Sequence, residues 1–274
     1  MIESNLATSN NETPTEAATT RNSLARRLIA KPVGKIATYL ADTFPELRPD
    51  DLTDWGKKLV IGADVFALIF PDHPILPTIS FTIGSLFDSA DGALDREQRS
   101  RDGSIPTIEG MIKDATTDKL EEVITFAALS LIARKRGNNF ASKFYALATM
   151  TSVMTAVYRA DAESHGFIVA EGGVGTRQGR AALGGIGIAF NRQSNISELT
   201  SATVAVSNLI TSRQRLDVVK NGDKSPYYKG TNDDPSSTEA AKVRRMAILP
   251  HATGGILVGG VLFLLKPKKS KHNN

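Results

Sequence analysis

Apolar residues recur along this chain in blocks of helical spacing, separated by short polar or basic stretches. In residues 21–44, "RNSLARRLIAKPVGKIATYLADTF", Leu24, Leu28, Ile29, Val33, Ile36 and Leu40 fall on one broad face, with Arg and Lys between them and Pro32 interrupting. This pattern predicts an amphipathic helix, lying on a membrane surface or packed on its own domain. Apolar blocks follow at residues 59–70, 75–87, 105–133, 140–160, 180–190, 199–210 and 246–265. A membrane span needs about 20 predominantly apolar residues. The final block, "MAILPHATGGILVGGVLFLL", meets that length and ends in the basic flank "KPKKSK", a stop signal of the kind found beside membrane helices. The other blocks suit marginal spans or core helices equally. No useful stretch alternates with period two, so little β-structure is expected. The predicted fold class is all-α.

Composition changes this picture in one respect. Of the 274 residues, 41% are hydrophobic, and the mean hydropathy is -0.15, averages that suit a soluble protein. The polar residues are concentrated, however. Residues 1–20 read as a disordered tail. Residues 221–242, rich in Gly, Pro, Ser and Asp, read as a long loop. What remains is more apolar than the average. The first residues lack the basic-then-apolar layout of a secretion signal. There is no cysteine, which excludes disulfides and thiolate metal sites. The histidines at 73, 165, 251 and 272 have no metal-ligand spacing. The net charge of +4 fits nucleic acid, anionic lipid or phosphorylated substrates about equally.

The candidate chemistry lies between two apolar blocks. Asp88, Asp91 and Asp95 fall at i, i+3 and i+7, along one stripe of a helix; Asp114 and Asp118 fall at i and i+4 on a second helix. Gly92 and Gly110 accompany them, where a missing side chain lets a ligand or another backbone approach. Two facing helices that each present a pair of carboxylates repel one another unless a cation neutralises them. Hard divalent cations accept carboxylate oxygens and bridge them to phosphates. Spacing alone fits a solvated acidic face as well. Two Gly-rich runs, "GGVG" and "GGIG", follow no predicted strand and read as close helix packing rather than a phosphate loop.

The ordered set resembles the signature of the CDP-alcohol phosphatidyltransferases, D-x-x-D-G-x-x-A-R followed by G-x-x-x-D-x-x-x-D. Asp88, Asp91, Gly92 and Arg96 match its first half, and Gly110, Asp114 and Asp118 its second. Asp95 stands where the family has alanine. Thirteen residues, 97–109, separate the halves, a longer spacer that predicts a bulging loop. "LRPDDLTDWG" is similar to the family's TPN-x-LT-x-x-G, with Asp50 in place of asparagine. "YRADAESHGFIVAEGGVGTRQGRAALGGIGIA" resembles the branch of the phosphatidylinositol phosphate synthases: Arg159, Glu163, Gly166, Arg177 and Arg180 match, while Asp161 replaces an arginine and Thr176 and Gly179 replace glutamates.

The resemblance implies a polytopic membrane bundle of about six transmembrane helices in the cell membrane. It divides the chain into a tail (1–20), an amphipathic juxtamembrane helix (21–48), the catalytic membrane domain (49–218), a polar loop (219–244) and an added apolar helix with a basic tail (245–274). It implies phosphatidyl transfer from CDP-diacylglycerol to a hydroxyl of a phosphorylated polyol, with release of CMP. Inositol phosphate is the first acceptor expected, glycerol 3-phosphate the second. Two Mg²⁺ or Mn²⁺ ions are expected on Asp88, Asp91, Asp114 and Asp118, with Asp118 also the catalytic base. Gly92 and Arg96 are expected along the CDP, and Arg159, Arg177 and Arg180 around the acceptor phosphate. Membrane lipid and a second copy of the chain are expected partners, and nucleic acid is not. A non-catalytic helical membrane or binding protein is the rival reading.

Overall fold

The computed structural model describes residues 24–103, 108–169, 176–231 and 235–266; side chains in 24–31 and at a few positions elsewhere, Asp114 among them, lie outside the description. The tail at 1–20 and the "GGVG" run fall outside it as well. Among the described residues the fold is eight α-helices, as the apolar blocks predict. They are α1 (Leu24–Thr43), α2 (Pro49–Ile69), α3 (Ile75–Asp102), α4 (Ile108–Lys135), α5 (Asn139–Ser164), α6 (Arg177–Ala189), α7 (Ser194–Asn221) and α8 (Pro235–Leu264). Two short strands, β1 (Phe167–Val169) and β2 (Tyr228–Thr231), pair antiparallel. They tie the segment after α5 to the segment before α8.

Local chemistry sets the helix ends. Pro49 begins α2, where its fixed φ and missing N–H do no harm, and the Asp51 carboxylate accepts the Arg48 backbone N–H at 3.1 Å. Gly103 ends α3 with φ of 70°, a left-handed turn that glycine adopts without strain. Of the thirteen spacer residues, 97–102 continue α3 and 108–109 begin α4. Residues 97–102 are helix rather than a bulging loop, and only 104–107 lie outside the description. The polar loop expected to reach 244 is also shorter, because α8 starts at Pro235.

Close backbone approach holds the helices together. Gly56 of α2 and Gly84 of α3 face each other: a Cβ on Gly84 would stand 2.7 Å from the Gly56 carbonyl oxygen, and one on Gly56 would stand 2.9 Å from the Gly84 oxygen. The "GGIG" run packs α6 as its composition suggests. A Cβ on Gly187 would meet the Tyr145 hydroxyl at 2.7 Å, and one on Gly184 would meet Thr125 and Phe81. Helix α5 contributes small and hydroxylated residues, with Ala141, Ala148, Thr149, Ser152, Thr155 and Ala156 buried. The hydroxyls bond back to carbonyls of their own helix, as Thr149 does to Tyr145 at 3.0 Å and Thr155 to Ser152 at 2.6 Å. Hydroxyls satisfied in this way can be buried at a helix interface without penalty. They also dilute hydropathy, which is why most of these helices look marginal in sequence.

The large apolar side chains point the other way. Ile75, Leu76, Ile79, Ile83 and Leu86 are exposed on α3, and Leu257, Val261, Phe263 and Leu264 on α8. By length and composition, one stretch among the described residues could cross a membrane, Ala241–Leu264, and only 28% of its apolar window is buried. A core helix of a soluble protein would be mostly covered. Helix α1 lays Val33, Ala37 and Ala41 against Leu52, Ala90, Ala93 and Leu94. Ile36, expected on that same face, is 48% exposed, because it lies one residue off the packed stripe.

Candidate active site

Successive helices reverse direction, so one end of the bundle collects the start of α2, the second half of α3, the start of α4, the end of α5 and the start of α6. The signature residues meet there. The Gly56–Gly84 crossing sets α2 beside α3 in a register that puts Thr53 opposite Asp91. The Thr53 hydroxyl donates to Asp91 Oδ2 at 2.5 Å, and the Gly92 backbone N–H donates to Oδ1 of the same carboxylate. Asp91 is buried. Lys113 of α4 reaches Asp50 at 3.6 Å and Asp54 at 3.3 Å on α2. The acid at position 50, a departure from the family motif, thereby helps anchor the start of α4.

Arg177, the first residue of α6, joins the two acidic helices. Thr176 caps α6 by accepting the Gly179 N–H at 3.3 Å. This capped terminus presents the Arg177 guanidinium to both α3 and α4: one nitrogen, Nη2, contacts Asp88 Oδ1 and lies 2.5 Å from Asp118 Oδ1. Both carboxylates are largely shielded, 15% and 12% exposed. The two signature halves therefore converge on one positive centre. Asp114 is on α4, one turn before Asp118, with its side chain outside the description.

A second rung lies directly below. Arg180 donates from Nε and Nη2 to Glu122 Oε1 at 2.9 and 2.7 Å, and Lys119 donates to Glu122 Oε2 at 2.8 Å. Arg177 and Arg180 are three apart on α6; Asp118 and Glu122 are four apart on α4. These spacings each fill one helix face, so the two helices form a ladder of matched charges.

Other expected site residues lie apart from this ladder. Asp95 pairs with Arg99 one turn along α3, at 2.6 Å, and does not join the Asp88–Asp118 group. Arg96 is exposed, with its guanidinium alongside Gly92. Arg159 pairs with Glu163 on α5 at 2.6 Å. Of the three arginines grouped by sequence, Arg177 and Arg180 reach from α6 to carboxylates of α4, while Arg159 stands on the α5–α8 flank. Among the described residues no three His, Asp or Glu side chains are clustered as a metal site. Thr53, Lys119 and Glu122 were not singled out in the sequence. The signal for Glu122 was its i+4 offset from Asp118, matching the offset between the arginines.

No family model matches the chain, and no curated protein matches it. Among solved structures, the chain is similar to the crystal structure of Mycobacterium tuberculosis phosphatidylinositol phosphate synthase (PgsA1) with CDP-DAG bound. The TM-score is 0.58 at 22% sequence identity, covering 72% of this chain and 98% of that one. This likeness establishes the fold: the chain has the all-helical architecture of that synthase, with further residues added to it.

Proposed function

We propose that this chain is a CDP-alcohol phosphatidyltransferase of the membrane, moving a phosphatidyl group from CDP-diacylglycerol to a hydroxyl of a phosphorylated polyol. The observation that carries this reading is the convergence of Asp88 and Asp118, from separate helices and separate signature halves, on the single cationic nitrogen of Arg177. Two shielded carboxylates aimed at one positive centre suit a divalent cation. Asp88, Asp91, Asp114 and Asp118 would hold two Mg²⁺ or Mn²⁺ ions, which would supply charge neutralisation for the donor's diphosphate. The fold likeness and the exposed apolar faces of α3 and α8 support a multi-pass protein of about six spans plus α8.

In this mechanism the acceptor hydroxyl oxygen bonds to the phosphorus of the phosphatidyl group. The bond from that phosphorus to the bridging oxygen breaks, and CMP leaves with the electron pair. Asp118 takes the hydroxyl proton, the role of a general base. Arg96, in the open beside Gly92, lies along the diphosphate, where a planar guanidinium can donate two hydrogen bonds. Thr53 orients Asp91. Arg177 turns from the carboxylates to the acceptor's phosphate, and Arg180 stays on Glu122 to fix α6. Inositol phosphate is the acceptor of first choice and glycerol 3-phosphate the second; the active unit is a homodimer.

The test is an assay of membranes holding the protein, with labelled CDP-diacylglycerol and each acceptor in turn. Metal-dependent CMP release that chelation abolishes and Mg²⁺ restores is the expected result. Absence of release with every acceptor would overturn the proposal.

A further inference from the structure

Helix α8 lies along α5, where a Cβ on Gly259 would stand 2.7 Å from the Ala146 carbonyl oxygen. At the last turn of α5 the arginines of α8 are paired, Arg244 with Glu163 and Arg245 with Asp161, each at 3.0 Å. The first turn of α5, at the opposite end of the bundle from the signature residues, differs. There Arg136 donates to the Pro71 carbonyl at 2.7 Å and to Asp72 at 2.9 Å, in the turn between α2 and α3. The Asn138 side chain donates to the Ser194 hydroxyl at 2.8 Å, at the start of α7. A cavity of about 160 Å³ lies among these turns, lined by Arg136, Asn138, Asn191, Arg192, Ser194 and Ser197. Three groups on its wall lack an internal partner among the described residues. Asn191 is 5% exposed, and neither its Oδ1 nor its Nδ2 has a hydrogen bond. An amide buried unpaired costs free energy, so its persistence points to a bound partner. Arg192, next in the chain, is exposed and makes no ion pair or hydrogen bond among the described residues. The third group is the start of α7. Its N-cap, Gln193, makes no side-chain bond to the helix, whereas Asn138 caps α5 by accepting the Ala141 N–H at 3.0 Å. An uncapped helix start offers N–H groups and a partial positive charge. A guanidinium, an amide N–H and a helix N-terminus gathered at one cavity form a donor set for phosphate. Asn191 Oδ1 adds an acceptor, which a hydroxyl beside the phosphate can meet. The nearby carboxylates are engaged: Asp72 by Arg136, and Glu198 by the Ser194 hydroxyl at 2.9 Å. Water satisfies Asn191 alone; the positive groups around it favour an anion.

We infer that this cavity is a second ligand site, at the far end of the bundle, for a phosphate group with a neighbouring hydroxyl. Arg192 and the start of α7 take phosphate oxygens, and Asn191 bridges a phosphate oxygen and the hydroxyl. An anionic phospholipid headgroup and a free phosphate ester share this chemistry. Phe140, Phe190 and Leu199, close to lining residues in the chain, are exposed and offer apolar surface for acyl chains, which favours the lipid. Helix α5 has 26 residues, about 39 Å at a rise of 1.5 Å per residue, enough to carry the two sites to opposite faces of a bilayer. Binding here needs no transferase activity.

The experiment uses the full chain in detergent micelles. Melting temperature is followed while dioctanoyl phosphatidylglycerol is added, and separately glycerol 3-phosphate as the free ester; the rise with concentration gives the affinity. The signature site can also take these probes, so the part of the response that is lost in Arg192→Gln is the part that counts. Arg192→Gln should weaken phosphatidylglycerol binding about tenfold or more. Asn191→Asp, which puts a carboxylate in place of the amide, should weaken it further. Lys143→Gln removes an exposed charge of the same bundle end outside the cavity and should leave the affinity unchanged. If Asn191→Asp does not fold, Arg192→Gln decides alone, because that side chain is exposed. A variant-sensitive response to phosphatidylglycerol only assigns the site to a lipid headgroup; one to glycerol 3-phosphate as well assigns it to phosphate esters at large. No response in the wild type, or equal responses in the wild type and Arg192→Gln, would overturn the inference and leave the cavity to water.

Discussion

The molecule carries two arginine–carboxylate clusters at one end of the bundle, and they differ in depth. The α4–α6 ladder is enclosed: Arg180 and Glu122 are 4% and 11% exposed. The α5–α8 corner is open, with Arg245 and Arg244 at 44% and 28%. Removing one member of a buried pair strands a charge, whereas an exposed pair contributes little to stability. The ladder therefore acts as scaffold, holding α6 so that Arg177 meets Asp88 and Asp118. The corner is less enclosed on its arginine side, while its carboxylates Asp161 and Glu163 are shielded, 18% and 23% exposed.

Mutations can break this contrast. Asp118→Asn should reduce CMP release by at least about a hundredfold while leaving the amount of protein in the membrane unchanged, as read by immunoblot. Glu122→Ala should destabilise the fold by about 3–5 kcal/mol, because Arg180 and Lys119 lose their partner in a shielded place; thermal unfolding in detergent would register it. Gly259→Leu should force α8 off α5 at a cost of about 1–3 kcal/mol. Crosslinking between paired cysteines introduced on α5 and α8 would follow the separation, and the chain's lack of native cysteine leaves no background. Arg245→Ala should change thermal stability by less than about 1 kcal/mol. If Arg245→Ala unfolded the protein as readily as Glu122→Ala, the distinction between scaffold and open corner would fail.

Acid titration sharpens the comparison further. Glu163 lies in the polar last turn of α5, beyond its apolar part. Burial alone would push its carboxyl up, but Arg159, Arg244 and the nearby Arg215 outweigh that and hold it below the ordinary value of 4.5. A carboxylate with a depressed value contributes stability above 4.5 and loses it as pH falls through the folded value. The same crosslink should therefore persist at neutral pH and weaken only below 4.5.

Helix existence was legible in the sequence because apolar spacing is local. The sharing of one face by the carboxylates within each segment was legible too, from i, i+3 and i+4 offsets, whereas the meeting of the two faces was implied only by the resemblance. What escaped depends on which helices are neighbours. Thr53 and Asp91 are far apart in the chain, and nothing in either segment announces their 2.5 Å bond. Arg180 and Glu122 have complementary spacings, but that complementarity acquires meaning only once α6 is known to lie on α4. Arg159 was grouped with Arg177 and Arg180 by motif, and the fold sends it to a different flank. The spacer misled for a simpler reason: "EQRSRD" is polar, and an exposed polar helix has no apolar stripe to reveal it.

The bare contact between Gly56 and Gly84 reaches well past the two residues that make it. Asp91 lies seven residues further along α3, about 10 Å at a helical rise of 1.5 Å, so this crossing works as a fulcrum with the signature carboxylates on its long arm. One methyl group wedged at the fulcrum would part the rods and lift Thr53 from Asp91. The spot where the chain carries the least side chain thus governs the alignment of its most highly charged groups.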